Sequence, residues 1–175
     1  MSKDLKELID AENNAAKLFQ EIENMNLISA GKTEKEINDS IYSLAFDLFG
    51  IKKYWHKRIV RSGANTLLPY DENPKNLLVK GDDILFIDFG PIFDAWEADY
   101  GRTFVLGEDP LKHKLAEDIE KAWQNANKFY HSQENITGAQ LYSYCCNLAK
   151  EMGWEFGGPI ACLLYTSDAA DELCR

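Results

Sequence analysis

Long hydrophobic runs are missing from this sequence, and its N-terminus, MSKDLKE, contains no apolar segment. A helix that crosses a bilayer needs about 20 apolar residues in a row, so the sequence predicts neither a signal peptide nor a membrane span. Basic residues are also scarce, since 19 Lys and Arg stand against 29 Asp and Glu, for a formal charge of -10. Phosphate binding requires clustered basic side chains, so we expect no nucleic-acid partner and no membrane partner. From the missing signal peptide and membrane span we expect a cytoplasmic location.

Cysteine is infrequent as well, and two of the four cysteines, Cys145 and Cys146, are adjacent. No CxxC spacing occurs, so the sequence gives no indication of a zinc site, and we interpret the thiols as reduced and structural. Hydrophobic residues, in contrast, make up 45% of the 175 positions. A chain of this length and composition can bury a sizeable core as one domain.

Hydrophobic periodicity predicts four amphipathic helices, at about residues 4–25, 33–50, 109–130 and 138–152. The second helix begins with a capping box at Thr33 and Glu36 and ends at Gly50, and Pro110 opens the third. We expect one apolar stripe of each helix to be buried. The four stripes comprise Leu8, Ala11, Ala15, Leu18, Ile22 and Met25; Ile37, Ile41, Leu44 and Leu48; Leu115, Ile119, Ala122, Trp123, Ala126 and Tyr130; and Leu141, Cys145, Leu148 and Met152.

Between the second and third helices the sequence is rich in aromatic, β-branched and turn residues. It predicts a strand within residues 54–63, a structured loop, and a β-hairpin over residues 84–105. A further strand is expected to begin at Trp154. The element order predicts an α+β fold in which helices pack on one face of an antiparallel sheet.

Two aspartates in the predicted hairpin, Asp88 and Asp99, indicate a specific chemistry. If the turn is centred on Phe93 and Asp94, Asp88 and Asp99 are direct cross-strand neighbours, with Cβ atoms about 4.5–5.5 Å apart. The strand around Asp88 is apolar enough to be buried, and like charges in such a place require a compensating cation. The pair therefore predicts a site for one or two divalent metal ions. Glu97 shares the face of Asp99 by alternation, although a solvated or Arg-paired side chain is the better interpretation.

The residues around these aspartates resemble a known motif. Asp88-Phe-Gly, followed by Asp99-Tyr-Gly-Arg102-Thr103, is similar to the metal-binding hairpin of the pita-bread metallopeptidases, the family of methionine aminopeptidase, aminopeptidase P and prolidase. The similarity extends upstream to residues 60–66, the Leu-Pro pair at 68–69 and the turn at residues 80–82. The resemblance implies an α+β pita-bread fold that is incomplete at its C-terminus.

In that family two Asp, one His and two Glu hold two divalent ions and a bridging hydroxide, which hydrolyses peptide bonds near the N-terminus of a peptide. The resemblance implies that Asp88 and Asp99 are the first two ligands and that Arg102 and Thr103 brace them. A carboxylate-rich site favours Mn, Co or Fe, with Zn left open. The expected partner is a peptide substrate of the Xaa-Pro type, and a homodimer of the full-length form is left open.

The C-terminal part departs from the family pattern, because the remaining His and two Glu ligands do not follow the glycine pair at 157–158. We expect residues 1–161 to be a partial pita-bread domain and residues 162–175 to be a non-family, artefactual tail. On this hypothesis the full-length parent is a peptidase, and the truncated chain is inactive and prone to aggregate through its open sheet edge and exposed apolar helix faces.

The family histidine that contacts substrate or moves protons is also absent, since Tyr70 follows the Leu-Pro pair. His56 is the candidate to take over this catalytic role from a neighbouring strand, with a purely structural histidine as the alternative. Two other functions remain open for the parent. It is either a non-catalytic pita-bread binding or scaffold protein, or a metal-free enzyme resembling creatinase, which would have little reason to keep two opposed aspartates.

Overall fold

The computed structural model describes residues 3–157. Two helices, α1 (Lys3–Asn24) and α2 (Glu34–Phe49), precede strand β1 (Ile59–Ser62) and a 3-10 helix (Gly63–Leu67). Strands β2 (Ile84–Phe89), β3 (Ile92–Phe93), β4 (Trp96–Glu97) and β5 (Tyr100–Val105) follow, and then helices α3 (Pro110–Ser132) and α4 (Gly138–Glu151). The chain divides into two compact units, Met1–Asp109 and Pro110–Arg175. The predicted boundary after residue 161 lies outside the described residues.

Helices α1 and α2 form largely as the sequence predicts. The Thr33 side chain accepts a hydrogen bond from the Glu36 N–H, the Glu36 side chain accepts one from the Thr33 N–H, and Gly50 ends α2 with φ of 68°. The two helices bury Ala11, Ala15, Leu18, Phe19, Ile22, Ile37, Ile41, Leu44 and Ala45. Burial was predicted wrongly for Leu8, Met25 and Leu48, which are exposed. Met25 lies past the end of α1, where Asn26 turns the chain with φ of 49°.

The sheet of the first unit has the antiparallel strand order β1-β2-β5. Alternation along β2 directs Leu85, Ile87 and Phe89 into the core that α1 and α2 provide. Asp88 consequently lies on the other face of the sheet, where the side chains of β2 are only half-buried. The predicted α+β arrangement, with helices on one face of an antiparallel sheet, is confirmed within this unit.

In the second unit α3 starts at Pro110 as predicted, and a capping box of Thr137 and Gln140 starts α4. The rings of Phe129 and Tyr144 stack with centroids 4.0 Å apart. Full burial of the two stripes was predicted wrongly, because within the described residues of this unit α3 and α4 cover each other only in part. Ile119, Trp123 and Tyr130 are exposed, and the stripe of α4 is half-buried.

The strand expected from Trp154 is not formed in residues 154–157. The indole N–H of Trp154 instead donates to the Asp118 carboxylate at 2.9 Å, which holds this segment against α3. Among the described residues, no helix combines the length and the apolar character that crossing a bilayer requires.

Candidate metal centre

Asp88 and Asp99 come together in the structure, but not as the direct pair that was predicted. Asp88 pairs with Gly101, and Phe93 pairs with Trp96, so Asp94 and Ala95 form the turn. Asp94 has φ of 56°, a conformation that Asp tolerates better than most residues. The turn lies one residue later than predicted, and each strand partner is therefore two residues later. A shift of two keeps every side chain on its predicted face, so Asp99 lies diagonally across from Asp88 on one face.

His56 joins the two aspartates, and the ligating atoms of these three residues lie within 4.8 Å of one another. His56 Nε2 is 3.7 Å from Asp88 Oδ1 and 3.6 Å from Asp99 Oδ1. The His56 side chain is only 4% exposed, whereas Asp88 is 29% exposed and Asp99 is 55% exposed. A buried imidazole therefore forms the floor of the cluster, and the two carboxylates form a rim that solvent reaches.

The hairpin break positions His56. The Trp55 N–H donates to the Gly90 carbonyl at 3.0 Å, and the Trp55 indole N–H donates to the Ala98 carbonyl at 2.9 Å. Tyr54 forms an isolated bridge with Pro91. These contacts hold the segment before β1 across the point where β2 ends and β3 begins, and so bring His56 to Asp88 and Asp99.

The hydrogen bond at the other ring nitrogen sets the tautomer of His56. His56 Nδ1 lies 2.8 Å from the Lys57 carbonyl oxygen, which can only accept, so Nδ1 carries the proton and the neutral ring keeps a lone pair on Nε2. Burial alone would lower the pKa of His56. The Asp99 carboxylate, the Lys57 carbonyl and the Asp88 carboxylate outweigh burial, and together they raise the pKa above its ordinary value.

Burial raises the pKa of Asp88, and the neighbouring Asp99 carboxylate raises it further, while His56 opposes both. The site thus places two carboxylates side by side, with Asp88 partly shielded from solvent, and a cation would relieve the cost of ionising Asp88 there. The donor set suits a divalent metal, since two carboxylates and an imidazole are ligands that Mn, Co, Fe and Zn accept. The buried Nε2, which has no hydrogen-bond partner among the described residues, fits the same interpretation.

The comparisons with known proteins agree with this geometry. The sequence profile of metallopeptidase family M24 matches residues 6–164. The chain belongs to this family. An Xaa-Pro dipeptidase of Pyrococcus horikoshii is 27% identical over 128 residues, which represent 73% of this chain and 35% of that protein.

Two solved structures show how much of the M24 fold the chain contains. A dipeptidase from Pyrococcus horikoshii OT3 superposes with a TM-score of 0.72 at 27% identity, over 87% of this chain and 41% of that one. An X-Pro aminopeptidase from Thermotoga maritima MSB8 gives a TM-score of 0.70 at 26% identity, over 86% and 41%. The predicted pita-bread fold is confirmed for the part that the chain spans, which is about two fifths of the length of these structures.

Three further residues of the hairpin, Arg102, Thr103 and Glu97, are not among the three residues of the candidate metal site. Arg102 pairs with Ile87, which puts it on the opposite face of the sheet from Asp88. Its guanidinium donates to the Gly101 carbonyl and the Tyr100 hydroxyl, so the expected bracing of the aspartates by Arg102 is not seen. Thr103 pairs with Phe86 on the face of Asp88, and its bracing role stays a prediction. Glu97 is not part of the three-residue cluster.

Tyr70, which follows the Leu-Pro pair, lies beside His56, with ring centroids 6.3 Å apart. Its hydroxyl accepts a hydrogen bond from the Lys57 N–H at 3.2 Å. The buried Arg61 guanidinium fixes the loop by donating to the carbonyls of Leu68, Pro69 and Glu72. Tyr70 therefore packs beside the His56 imidazole.

Sequence reasoning missed the roles of Trp55 and Gly90. A glycine that ends a strand signals a close approach of another group, and this signal was present in the Phe-Gly-Pro sequence at 89–91. A Cβ atom on Gly90 would lie 2.4 Å from His56 Cδ2, 2.4 Å from Trp55 Nε1 and 2.7 Å from His56 Nε2. Gly90 therefore makes the room that the imidazole occupies.

We expect Gly90→Ala to displace both rings, to destabilise the fold by about 1–3 kcal/mol through overpacking, and to weaken metal binding by moving His56. Urea denaturation and metal titration measure the two effects. Gly81→Ala is the matched control, because a Cβ atom there meets nothing within 4 Å. Equal behaviour of the two variants would contradict the packing that the structure shows.

Proposed function

We propose that the protein containing this chain is a metal-dependent peptidase that hydrolyses the N-terminal peptide bond of Xaa-Pro peptides. The convergence of His56, Asp88 and Asp99 on one point is the observation that supports this most directly. Membership of the M24 metallopeptidases supports the reaction class, and relatives named Xaa-Pro dipeptidase and X-Pro aminopeptidase support the substrate class. The chain spans 35% of the Xaa-Pro dipeptidase it resembles, so the activity is proposed for the whole protein.

Asp88 and Asp99 would hold the metal, and a dinuclear centre would need further ligands beyond the three donors in the described residues. Divalent ions at such a site lower the pKa of bound water, polarise a carbonyl and stabilise developing negative charge on oxygen. The donor set favours Mn, Co or Fe, with Zn as the alternative.

The side chains around the metal site would line the surface that binds the peptide. Asp88 and Asp99 present oxygens to solvent at the rim, while the His56 ring closes the site from below. Tyr70 and Lys57 form one wall, since the Lys57 ammonium lies 4.5 Å from the Tyr70 ring centroid. Arg61 keeps this wall in place through the loop carbonyls that it holds.

The test is an assay of the whole protein, loaded with Mn²⁺ or Co²⁺, against an Xaa-Pro dipeptide and an Xaa-Pro-Yaa tripeptide. An Xaa-Ala peptide of the same length is the matched substrate control. We expect metal-dependent release of the N-terminal residue, loss of turnover with a chelator, and loss of turnover in Asp88→Asn. A protein that binds metal tightly and hydrolyses none of these peptides would overturn the proposal and favour a binding or scaffold role.

A further inference from the structure

We infer that His56 is itself a metal ligand, and that Nε2 of His56 forms a three-donor site for one divalent ion with the carboxylates of Asp88 and Asp99. This inference rests on the proposed metal site and deepens it. The resemblance drawn from the sequence assigns the aspartates as ligands and places the family's ligand histidine after a glycine-rich strand. His56, which comes from the segment before β1, is outside that assignment.

The first support is that no hydrogen bond to His56 Nε2 is formed among the described residues. This nitrogen is buried. A buried polar atom without a partner costs about 1–3 kcal/mol, so such atoms are rare and call for a ligand. The atom also faces the two carboxylates, which makes a cation the ligand that fits.

The second support is the tautomer. The Lys57 carbonyl accepts from Nδ1, which leaves the lone pair on Nε2 directed at the aspartates. Metal-binding histidines commonly donate their second ring N–H to a carbonyl or a carboxylate, and this outer contact fixes the ring. Lys57 supplies that contact from the residue next to His56, so the ring is oriented before any ion arrives.

The third support is the spacing of the donors. Nε2 lies 3.6 Å and 3.7 Å from the nearest carboxylate oxygens, which is longer than a hydrogen bond. Two ligands about 2.0–2.2 Å from one ion at a tetrahedral angle are separated by about 3.3–3.6 Å. The gap to Asp99 lies at the upper end of this range and the gap to Asp88 slightly beyond it, so a small movement of the carboxylates would bring all three donors to one ion.

The fourth support is the rigidity of the ring environment. The Trp55 ring meets the His56 ring edge to face at 4.4 Å between centroids, and Gly90 packs against the His56 ring where any side chain would clash. A histidine that moves protons between groups gains little from such confinement. A ligand gains affinity, because the cost of ordering the side chain has already been met on folding.

The experiment measures nitrogen coordination directly. Mn²⁺ bound to the purified 175-residue protein is studied by pulsed EPR, in which a coordinated imidazole gives a characteristic ¹⁴N coupling. The sequence contains three histidines, so the source can be assigned by substitution. We expect the ¹⁴N coupling in the wild-type protein, in His113→Gln and in His131→Gln, and its loss in His56→Gln. We also expect His56→Gln to weaken Mn²⁺ binding by at least the factor of about 10–100 that the loss of an outer contact to a ligand costs.

A second variant guards against misfolding of His56→Gln. In His56→Gly with ¹⁵N-labelled imidazole added, we expect a ¹⁵N coupling to replace the ¹⁴N coupling, and near-UV circular dichroism to match the wild type. Mn²⁺ that binds through Asp88 and Asp99 with no imidazole coupling, or with coupling that survives in His56→Gln, overturns the ligand role and leaves the proposed peptidase function standing. Failure of the folded wild-type protein to bind Mn²⁺ at all also overturns the three-donor site, whereas the peptidase function of the whole protein is decided by the turnover assay.

Discussion

Replacing Asp88 by asparagine should lower the affinity of the protein for Mn²⁺ or Co²⁺ by about 100-fold or more, which is about 2.7 kcal/mol. The substitution removes the negative charge of the more buried carboxylate in the cluster and leaves a neutral amide of nearly the same shape. An amide oxygen is a weaker ligand for these ions, and the remaining Asp99 is 55% exposed and well solvated. Isothermal titration with the metal at neutral pH measures the loss.

In the absence of metal, the same substitution should stabilise the folded protein. Burial and the Asp99 carboxylate raise the pKa of Asp88 above its ordinary value of 3.8, so the folded state holds its proton more tightly than the unfolded state. The stability that Asp88 contributes is present below pH 3.8 and is lost as the pH rises through the raised pKa. Above that pKa, in the presence of a chelator, Asp88→Asn should unfold at a higher temperature than the wild type.

Asp94→Asn is the matched control in the same hairpin. Asp94 is an exposed turn residue with φ of 56°, which asparagine adopts equally well, and it lies outside the metal cluster. It should bind metal and unfold as the wild type does. If Asp94→Asn and Asp88→Asn lost metal affinity to the same extent, the effect would come from net charge, and the site described by His56, Asp88 and Asp99 would be wrong.

The hairpin shows why the sequence placed Asp88 and Asp99 on one face despite a wrong register. A turn at Asp94 and Ala95, instead of Phe93 and Asp94, moves each strand partner by two residues. The side-chain period of a strand is also two, so Asp88 and Asp99 remain on one face. An error of two residues in the strand pairing therefore leaves the predicted face of each side chain correct, but it makes the predicted direct partner wrong.

His56 could be suggested from the sequence but not placed by it. Periodicity describes neighbours along one element, while His56 reaches Asp99 through contacts that Trp55 makes with Gly90 and Ala98. The exposed stripe of α3 illustrates the same limit. Its periodicity correctly indicates an amphipathic helix, but the surface that would cover Trp123 is not encoded in the helix itself.

Glu34→Ala should lower the free energy of unfolding by about 3–5 kcal/mol, because the Glu34 carboxylate is buried and accepts several hydrogen bonds. Glu34 accepts hydrogen bonds from the Ser62 N–H at 2.6 Å, from the Asn65 amide at 2.9 Å and 3.0 Å, and from the Leu77 N–H at 3.1 Å. Alanine would leave the Ser62 and Leu77 N–H groups without this acceptor, and the Asn65 amide would keep only the Lys75 carbonyl. Urea denaturation of the metal-free protein measures the change, provided that the free energy of unfolding depends equally steeply on urea concentration in the variant and the wild type.

Glu36→Ala provides the comparison, because Glu36 lies in the same first turn of α2 but is exposed and only closes the capping box with Thr33. Its loss should destabilise the protein much less than the loss of Glu34, because only the exposed cap contacts with Thr33 are removed. Glu34→Ala should also weaken metal binding, since Glu34 fixes Ser62, the neighbour of Arg61, and Arg61 holds the loop that packs Tyr70 beside His56. Glu34→Ala that unfolds like Glu36→Ala would show that the Ser62, Asn65 and Leu77 groups find other partners, and that the wall beside His56 does not depend on α2.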